Sequence, residues 1–195
     1  MMKRIEFFYD YASTYSYLAH REIEALAARS GAEIVFKPMV LGFVFKATGN
    51  GMPAAVPAKA AYMVHDVRRW VGRYGLQFHM PSVFPVNTIR ALRAAVAALE
   101  DGTFPAYHHA VMHAYWANDQ DIGDGETLAA IAAAAGLDGR RIVARAEEPA
   151  IKDRLKANTD EAVRRGAFGA PTFFVGDEMF WGNDRLEFVE EALSG

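Results

Sequence analysis

The chain has 195 residues, of which 52% are hydrophobic and 23% are charged, and its formal net charge is −3. This length suffices for one compact domain, or for one domain with a large insertion, and the absence of a basic stripe argues against nucleic acid as a partner. Cysteine is absent, which excludes disulfides, thiolate metal sites and cysteine nucleophiles. Any thiol chemistry therefore needs a thiol that arrives on a small molecule.

The sequence carries no membrane or export signal. No apolar stretch approaches the length needed to span a bilayer, so no membrane association is expected. The first residues run directly into a strand pattern, without the basic and apolar regions of a secretory leader. We therefore expect a cytoplasmic protein.

The N-terminal part of the chain has the pattern of a βαβ unit. An apolar run at residues 5–9 predicts a buried strand, and the helical pattern that follows ends at Gly31. Residues 33–37 predict a second strand, which Pro38 stops. Because a helix separates the two strands, we expect them to be parallel with a right-handed crossover.

Ser13 lies at the turn between the first predicted strand and the first predicted helix. The first backbone N–H groups of a helix are unpaired, and the helix dipole adds partial positive charge there, so a thiolate, phosphate or carboxylate is stabilised. Serine is also a good helix cap. From this turn alone, both a ligand role and a simple capping role remain open for Ser13.

The middle of the chain is predicted to be a long loop followed by helices. Residues 39–58 lack a periodic run and contain Gly49-Asn50-Gly51 and prolines, which predicts a functional or mobile loop. Residues 58–165 are predicted to be essentially all helical. The predicted helices cover residues 58–74, 89–99, 104–117, 126–135, 138–146 and 149–165.

The C-terminal part returns to strands. Residues 170–175 and 178–181 predict two strands joined by a tight turn at Gly176-Asp177. Asp184 followed by Glu187 resembles a capping box at the start of a last helix.

This element order predicts an α/β, thioredoxin-like fold with a large all-helical insertion. Residues 1–45 and 160–195 would form a discontinuous thioredoxin-like domain, and residues 46–159 would form the helical insertion. A fold of this kind says little by itself about function.

Five stretches carry a family resemblance. They are residues 10–18, Gly49-Asn50 with Lys59, residues 84–88, residues 169–175 and residues 180–186. Together they resemble the 2-hydroxychromene-2-carboxylate isomerases and their relatives, the kappa-class glutathione transferases, which have a DsbA-type fold. Ser13-Thr14-Tyr15-Ser16 stands where thioredoxin-like oxidoreductases have Cys-x-x-Cys. The usual family turn reads Ser-Pro-Tyr-Ser, so Thr14 departs from it, which leaves the hydroxyl in place but puts the substrate in doubt.

The resemblance implies glutathione as the bound thiol, with Ser13 as the catalytic residue that stabilises its thiolate. It also implies a cis peptide bond between Ala170 and Pro171, whose backbone would pair with glutathione like an added strand. The alternative is an ordinary trans proline that opens an edge strand. The further glutathione-binding residues implied are Asn50, Trp181, Gly182, Asn183 and Asp184.

The resemblance places Asn50 and Lys59 over glutathione and an acidic substrate. Lys46 is a second candidate for the substrate carboxylate, and Asn87 is either a substrate contact or only a helix cap. Tyr62 and Asp66 share a helical face with Lys59 by their spacing. A lone lysine on a helix is usually solvated.

His109 and His113 have the i, i+4 spacing of metal ligands. No carboxylate accompanies them in a motif such as His-Glu-x-x-His. We therefore predict no metal and interpret these side chains as surface or interface histidines.

The sequence thus predicts a glutathione-dependent isomerase that interconverts 2-hydroxychromene-2-carboxylate and trans-o-hydroxybenzylidenepyruvate, or a related substrate, in aromatic-compound degradation. Its partners would be glutathione and a small aromatic carboxylate, and the resemblance implies a homodimer. One alternative is a kappa-type transferase that releases a conjugate. The other is a non-catalytic module that binds a thiol or a peptide.

Overall fold

The computed structural model describes residues 3–194. Its strands are β1 (Arg4–Tyr9), β2 (Glu33–Pro38), β3 (Thr172–Val175) and β4 (Glu178–Trp181). They form one sheet in the order β2-β1-β3-β4, in which β1 and β2 are parallel and β3 is antiparallel to both β1 and β4. Strands from both ends of the chain therefore pair in one sheet, which confirms the thioredoxin-like prediction and the parallel βαβ unit.

Nine α-helices occur within residues 3–194, and most of them lie between β2 and β3. None of the helices in this part of the chain is long and apolar enough to cross a membrane. The helices are α1 (Thr14–Ser30), α2 (Leu41–Thr48), α3 (Pro57–Tyr74), α4 (Ile89–Glu100), α5 (Phe104–Trp116), α6 (Gly125–Ala134), α7 (Gly139–Arg145), α8 (Pro149–Arg164) and α9 (Leu186–Ser194). Two short 3₁₀ turns cover Pro53–Ala55 and Asn183–Arg185.

Side chains of β1 point alternately to the two faces of the sheet, and both faces are buried. Phe7 and Tyr9 belong to the main core with residues of α1, α4, α5 and α9, and the Phe7 ring lies 4.9 Å from that of Phe173. Phe8 and Phe174 point to the other face, where they cluster with residues of α2 and α8. The sheet is thus fixed from both sides, and β1 delivers the following turn to a defined place.

The prediction of a continuous loop at residues 39–58 is wrong, because α2 and a 3₁₀ turn occupy part of it. The α2 helix is only eight residues long, buries only Val44 and has no side-chain cap at its start. Such a helix gives too short a periodic signal for recognition from sequence. It ends at Gly49, whose φ of +72° is in the left-handed region.

The six helices predicted within residues 58–165 are confirmed as α3 to α8, each within one residue of its predicted ends. Residues 75–88 form an irregular segment between α3 and α4, and the Phe84–Pro85 peptide bond within it is cis. The predicted helices left this segment between them, because Gly75 ends the first helical pattern and the next begins only at residue 89.

The division into residues 1–45 with 160–195 and residues 46–159 stays a prediction. Both of its boundaries fall inside helices, one in α2 and one in α8.

Candidate active site

A cleft of about 1270 Å³ opens at the end of β1, beside the start of α1. Pro171 is buried behind the cleft wall, and its carbonyl oxygen accepts a hydrogen bond from the Gly182 backbone N–H at 3.0 Å. All the other site residues predicted from the sequence line the cleft: Ser13, Lys46, Asn50, Lys59, Asn87, Ala170, Trp181, Gly182, Asn183 and Asp184.

Ser13 is nearly buried at the start of α1 and joins the two ends of the chain. Its Oγ accepts a hydrogen bond from the Ser16 backbone N–H at 3.1 Å, which is the predicted capping role. The same hydroxyl donates to the carbonyl oxygen of Ala170, also at 3.1 Å. The helix cap is therefore real, and the hydroxyl also faces the proline loop across the cleft.

The Ala170–Pro171 peptide bond is cis, as predicted. The loop around it is held by the Thr172 hydroxyl, which donates to the Gly169 carbonyl oxygen at 2.8 Å. Gly169 has no room for a side chain, because a Cβ there would lie 2.5 Å from Nε1 of Trp181. The Trp181 indole thus packs directly on this loop.

Asn50 connects the segment after α2 to the same loop. Its side-chain amide donates to the Phe168 carbonyl oxygen at 2.8 Å, and its amide oxygen accepts from the Gly51 N–H at 2.8 Å. The side chain is exposed in the cleft. Asn50 therefore borders the cleft beside the cis proline.

The segment after β4 closes the far side of the cleft. Gly182 has a φ of +107°, a conformation that favours glycine, and a Cβ there would meet the Asp184 carboxylate at 2.5 Å. The exposed Asp184 carboxylate pairs with Arg185 at 2.6 Å. The capping-box prediction for Asp184 and Glu187 is wrong, since Asp184 lies inside the 3₁₀ turn that precedes α9.

Two lysines supply positive charge to the cleft. Lys46 lies in the last turn of α2 and Lys59 in the first turn of α3. Neither makes an ion pair within residues 3–194. A cation in the first turn of a helix opposes the helix dipole, so the position of Lys59 is not explained by α3 itself.

Asn87 reaches the cleft from the segment before α4. Its side-chain oxygen accepts a hydrogen bond from the Ile89 N–H at 3.1 Å, so it caps the start of α4 as the simpler alternative expected. The side chain is exposed and lines the cleft. Both roles are compatible with this geometry.

Comparison with known proteins identifies the family. The DsbA-like thioredoxin domain model matches residues 4–194. The 2-hydroxychromene-2-carboxylate isomerase of Sphingobium xenophagum is 33% identical over 99% of this chain and 99% of its own length. The chain belongs to the 2-hydroxychromene-2-carboxylate isomerase family. The resemblance stated from the sequence is thus confirmed.

Two further proteins are similar to this family member over most of its length. A solved structure of a 2-hydroxychromene-2-carboxylate isomerase is 29% identical and superposes with a TM-score of 0.88, covering 98% of this chain and 94% of that chain. The kappa 1 glutathione S-transferase of Homo sapiens is 24% identical over 98% of this chain and 91% of its own length.

The cleft of this isomerase-family member has an apolar wall that was not predicted from the sequence. Its residues come from α2, α3 and the segments before α2, α3 and α4, so they are not contiguous in the chain. Aromatic and methionine residues in such patterns are equally typical of core packing. The wall consists of Val40, Phe43, Met52, Met63, Trp70 and Phe84.

Tyr15 and Asp66 form a second contact that joins α1 to α3. The Tyr15 hydroxyl donates to the Asp66 carboxylate at 2.9 Å. Burial, and then this carboxylate, raise the pKa of Tyr15, so its hydroxyl stays protonated and remains a donor. Asp66 does line the cleft beside Lys59, as the helical spacing predicted.

Asp10 also lines the cleft, but no role was predicted for it, although the motif at residues 10–18 begins with it. Its side chain is buried and accepts three hydrogen bonds: from Ala12 N–H at 3.0 Å, Leu41 N–H at 2.9 Å and the Thr88 hydroxyl at 2.7 Å. Burial raises the pKa of Asp10, and the three hydrogen bonds oppose that shift. Aspartate is common at turns, where its side chain accepts from the N–H two residues on, so its residue type alone does not indicate the further bonds to Leu41 and Thr88.

Two histidines of α5 contact polar side chains of neighbouring segments. His109 Nε2 lies 3.1 Å from the Glu24 carboxylate, and His113 Nε2 lies 2.9 Å from the Gln77 side-chain oxygen. Within the described part of the chain, no group of three or more potential metal ligands comes together.

Proposed function

We propose that this family member is a glutathione-dependent isomerase that interconverts 2-hydroxychromene-2-carboxylate and trans-o-hydroxybenzylidenepyruvate, or a close relative of them. One observation carries the proposal: the Ser13 hydroxyl stands at the start of α1, 3.1 Å from the Ala170 carbonyl oxygen, in a chain without cysteine. A thiolate at this point is favoured by the helix N-terminus and by a hydroxyl donor.

The residues around Ser13 fit the tripeptide glutathione. The Ala170 backbone offers an edge to which an extended peptide can pair. The start of the 3₁₀ turn at Asn183 suits a carboxylate, and the Asp184 carboxylate suits an ammonium group. When bound, glutathione would supply a thiolate whose addition turns the conjugated double bond into a rotatable single bond; loss of the thiolate would then restore the double bond and free glutathione.

Ser13 must exchange partners for this chemistry. Its hydroxyl proton now goes to the Ala170 carbonyl oxygen, while Ser16 N–H occupies one of its lone pairs. In the proposed mechanism the proton turns towards the sulfur, and the released Ala170 carbonyl accepts an N–H of the ligand backbone. The total number of hydrogen bonds stays the same, so the exchange of partners costs little free energy.

Lys59 and Lys46 would hold the acidic substrate. Both line the cleft and make no ion pair within residues 3–194, so their charges are available to a carboxylate. A cation at this place also stabilises negative charge that develops on the substrate oxygen. The apolar wall takes the aromatic ring, and Asn50 and Asn87 complete the polar contacts.

The proposal includes the remaining features that the family resemblance implies. These are glutathione and a small aromatic carboxylate as partners, a homodimeric assembly, a cytoplasmic location and a place in aromatic-compound degradation.

Replacement of Ser13 by alanine tests the proposal. We expect Ser13→Ala to lower kcat roughly 10²- to 10³-fold, the effect of removing one donor from a developing anion, while glutathione still stabilises the protein against heat. The assay follows the interconversion by ultraviolet absorbance. Ser16→Ala is the matched control, because the buried Ser16 Oγ has no hydrogen-bond partner within residues 3–194. Equal rates for Ser13→Ala and the wild type would refute the assignment.

The kinship with kappa-class transferases supports one second candidate, a transferase that releases a conjugate. Product analysis separates the two. An isomerase returns all glutathione in free form together with a geometric isomer, whereas a transferase accumulates a stable thioether. Glutathione-induced thermal stabilisation without turnover of any substrate would instead indicate a non-catalytic binding module.

A further inference from the structure

The Asp10 carboxylate stands at a junction of three chain segments that form the cleft. The first segment is the turn at Ala12, whose next residue is Ser13. The second is the start of α2, the helix that carries Lys46. The third is the segment before α4, reached through the Thr88 hydroxyl, next to Asn87. Each hydrogen bond to Asp10 therefore leads to one of the proposed site residues.

These contacts come from segments that are far apart in the chain. The turn at Ala12 belongs to the βαβ unit, whereas Thr88 lies 78 positions further along the chain, beyond α3. Oδ1 receives both the Ala12 N–H and the Thr88 hydroxyl, and Oδ2 receives the Leu41 N–H. A single side chain thus sets the distances among all three segments.

No cation in the described part of the chain pairs with this carboxyl group. Asp10 makes no ion pair with any residue between 3 and 194, and its side chain is 2% exposed. Burying a carboxyl with only neutral donors is unfavourable compared with a small apolar residue. The fold retains it at the base of the cleft, where the three segments meet.

We infer that Asp10 is a positioning residue, which aligns the Ser13 hydroxyl with the walls that carry Lys46 and Asn87. This inference rests on the proposed function, in which a thiol at Ser13 reacts with a substrate held by those walls. Small misplacements of reacting groups lower rates strongly, because the two partners must meet in one geometry. Asp10 acts through its neighbours and need not touch the substrate.

Thr88→Val removes one of the three hydrogen bonds with little change in shape. We expect kcat/KM to fall roughly tenfold or more, because the wall bearing Asn87 is no longer tied to the turn bearing Ser13. Glutathione alone should bind within about twofold of the wild type, since the Thr88 hydroxyl bonds to Asp10 and not to any residue proposed to contact glutathione. Thr88→Ser restores the hydroxyl and should recover most of the activity.

Asp10→Asn provides the second variant. Its amide oxygen still accepts, but its NH₂ group faces an N–H or hydroxyl donor, so one segment loses its acceptor. We expect a loss of kcat/KM at least as large as in Thr88→Val. Wild-type kcat/KM in both Thr88→Val and Asp10→Asn would overturn the inference.

Tyr107→Phe is the matched control for lost stability. The Tyr107 hydroxyl donates to the Ala91 carbonyl oxygen at 3.0 Å inside the core, away from the residues that line the cleft. This variant loses one buried hydrogen bond and should retain full activity. If Tyr107→Phe lost as much kcat/KM as Thr88→Val, the effect would be general loosening and the inference would be wrong.

A binding measurement separates this inference from the proposed function. The ultraviolet absorbance of the thiolate, followed against pH, gives the pKa of bound glutathione. If the wild type does not lower that pKa, the proposed function fails. If the wild type lowers it and turns over substrate, while Thr88→Val and Asp10→Asn behave identically to it, only the positioning role of Asp10 fails.

Discussion

At the scale of single residues, the Ser13 hydroxyl is already engaged on both sides. It accepts from Ser16 N–H and donates to Ala170 O, so a ligand thiolate competes with a carbonyl oxygen for one proton. An anionic sulfur is the stronger acceptor, and charge-assisted hydrogen bonds exceed neutral ones. The helix cap and the proposed catalytic role are therefore compatible, because each uses a different part of the same hydroxyl.

Ser13→Cys tests where the sulfur of glutathione lies. The chain has no other cysteine, and a thiol at a helix start is more acidic than usual. We expect this variant to react with oxidised glutathione, forming a mixed disulfide and releasing one reduced glutathione. Mass spectrometry then finds one added glutathione per chain.

The control for this reaction is Ser16→Cys, one turn further into α1 at a fully buried position. It should remain unmodified under the same conditions. Equal labelling at both positions would contradict a thiol subsite at Ser13.

Lys59→Met tests the proposed contact with the substrate carboxylate. Loss of a charge-assisted hydrogen bond of roughly 1.5–3 kcal/mol should raise KM for the acid by about tenfold or more. The glutathione-induced thermal shift should not change. Lys156→Met is the control, because Lys156 is exposed on α8 and pairs with Asp160. An unchanged KM in Lys59→Met would remove this residue from the substrate site.

At the scale of elements, α2 is the helix that sequence patterns did not reveal. It contains Gly42 in its first turn and ends at Gly49, and a Cβ at either position would meet no atom within 4 Å. The two glycines differ only in backbone conformation, since Gly49 has a φ of +72° whereas Gly42 is helical. They therefore offer a matched pair for testing this helix.

Gly42→Ala should raise the free energy of unfolding by about 0.5–1 kcal/mol, because alanine is the better helix former. Gly49→Ala should lower it by roughly 1–2 kcal/mol, because alanine is strained in the left-handed region. Urea unfolding of both variants checks the signs. Destabilisation by Gly42→Ala would argue against a helix at this position.

Strong periodicity explains which elements the sequence predicted well. The strand and helix of the βαβ unit, and the hairpin of β3 and β4, have long or regular apolar patterns with glycine and proline at their ends. The irregular segment at residues 75–88 was placed between two predicted helices, but it has no periodic pattern from which its own course could be predicted. Local patterns cannot specify a segment whose conformation is set by distant residues.

At the scale of the whole molecule, family motifs brought together the residues that line the cleft. Ser13 and Ala170 lie 157 positions apart, and only the resemblance placed them opposite each other before the fold was known. Asp10 and Thr88 lie in two of the same motifs, residues 10–18 and 84–88, but no role was assigned to them, since a buried carboxyl bonded to neutral donors has no sequence pattern of its own. Their function becomes visible only from the three segments that they join.

The core behind the site couples protonation to folding through two buried histidines. Burial lowers the pKa of His20 to about 4, and burial, followed by the neighbouring histidines, holds the pKa of His108 well below its usual value. The unfolded chain binds these protons near pH 6.5, whereas the folded protein does not. Unfolding therefore takes up protons, and the stability that the neutral histidines contribute is lost as the pH falls from about 6.5 towards about 4.

For His20 alone, this linkage amounts to roughly 3 kcal/mol across that window. Asp10 acts in the opposite sense, because a raised carboxyl pKa favours the folded state at low pH. The comparison of wild type with His20→Gln removes the Asp10 contribution, since both proteins share it. We expect urea unfolding free energies to fall more steeply on acidification in the wild type than in His20→Gln. Parallel curves for the two proteins would show that His20 is not held neutral in the folded state.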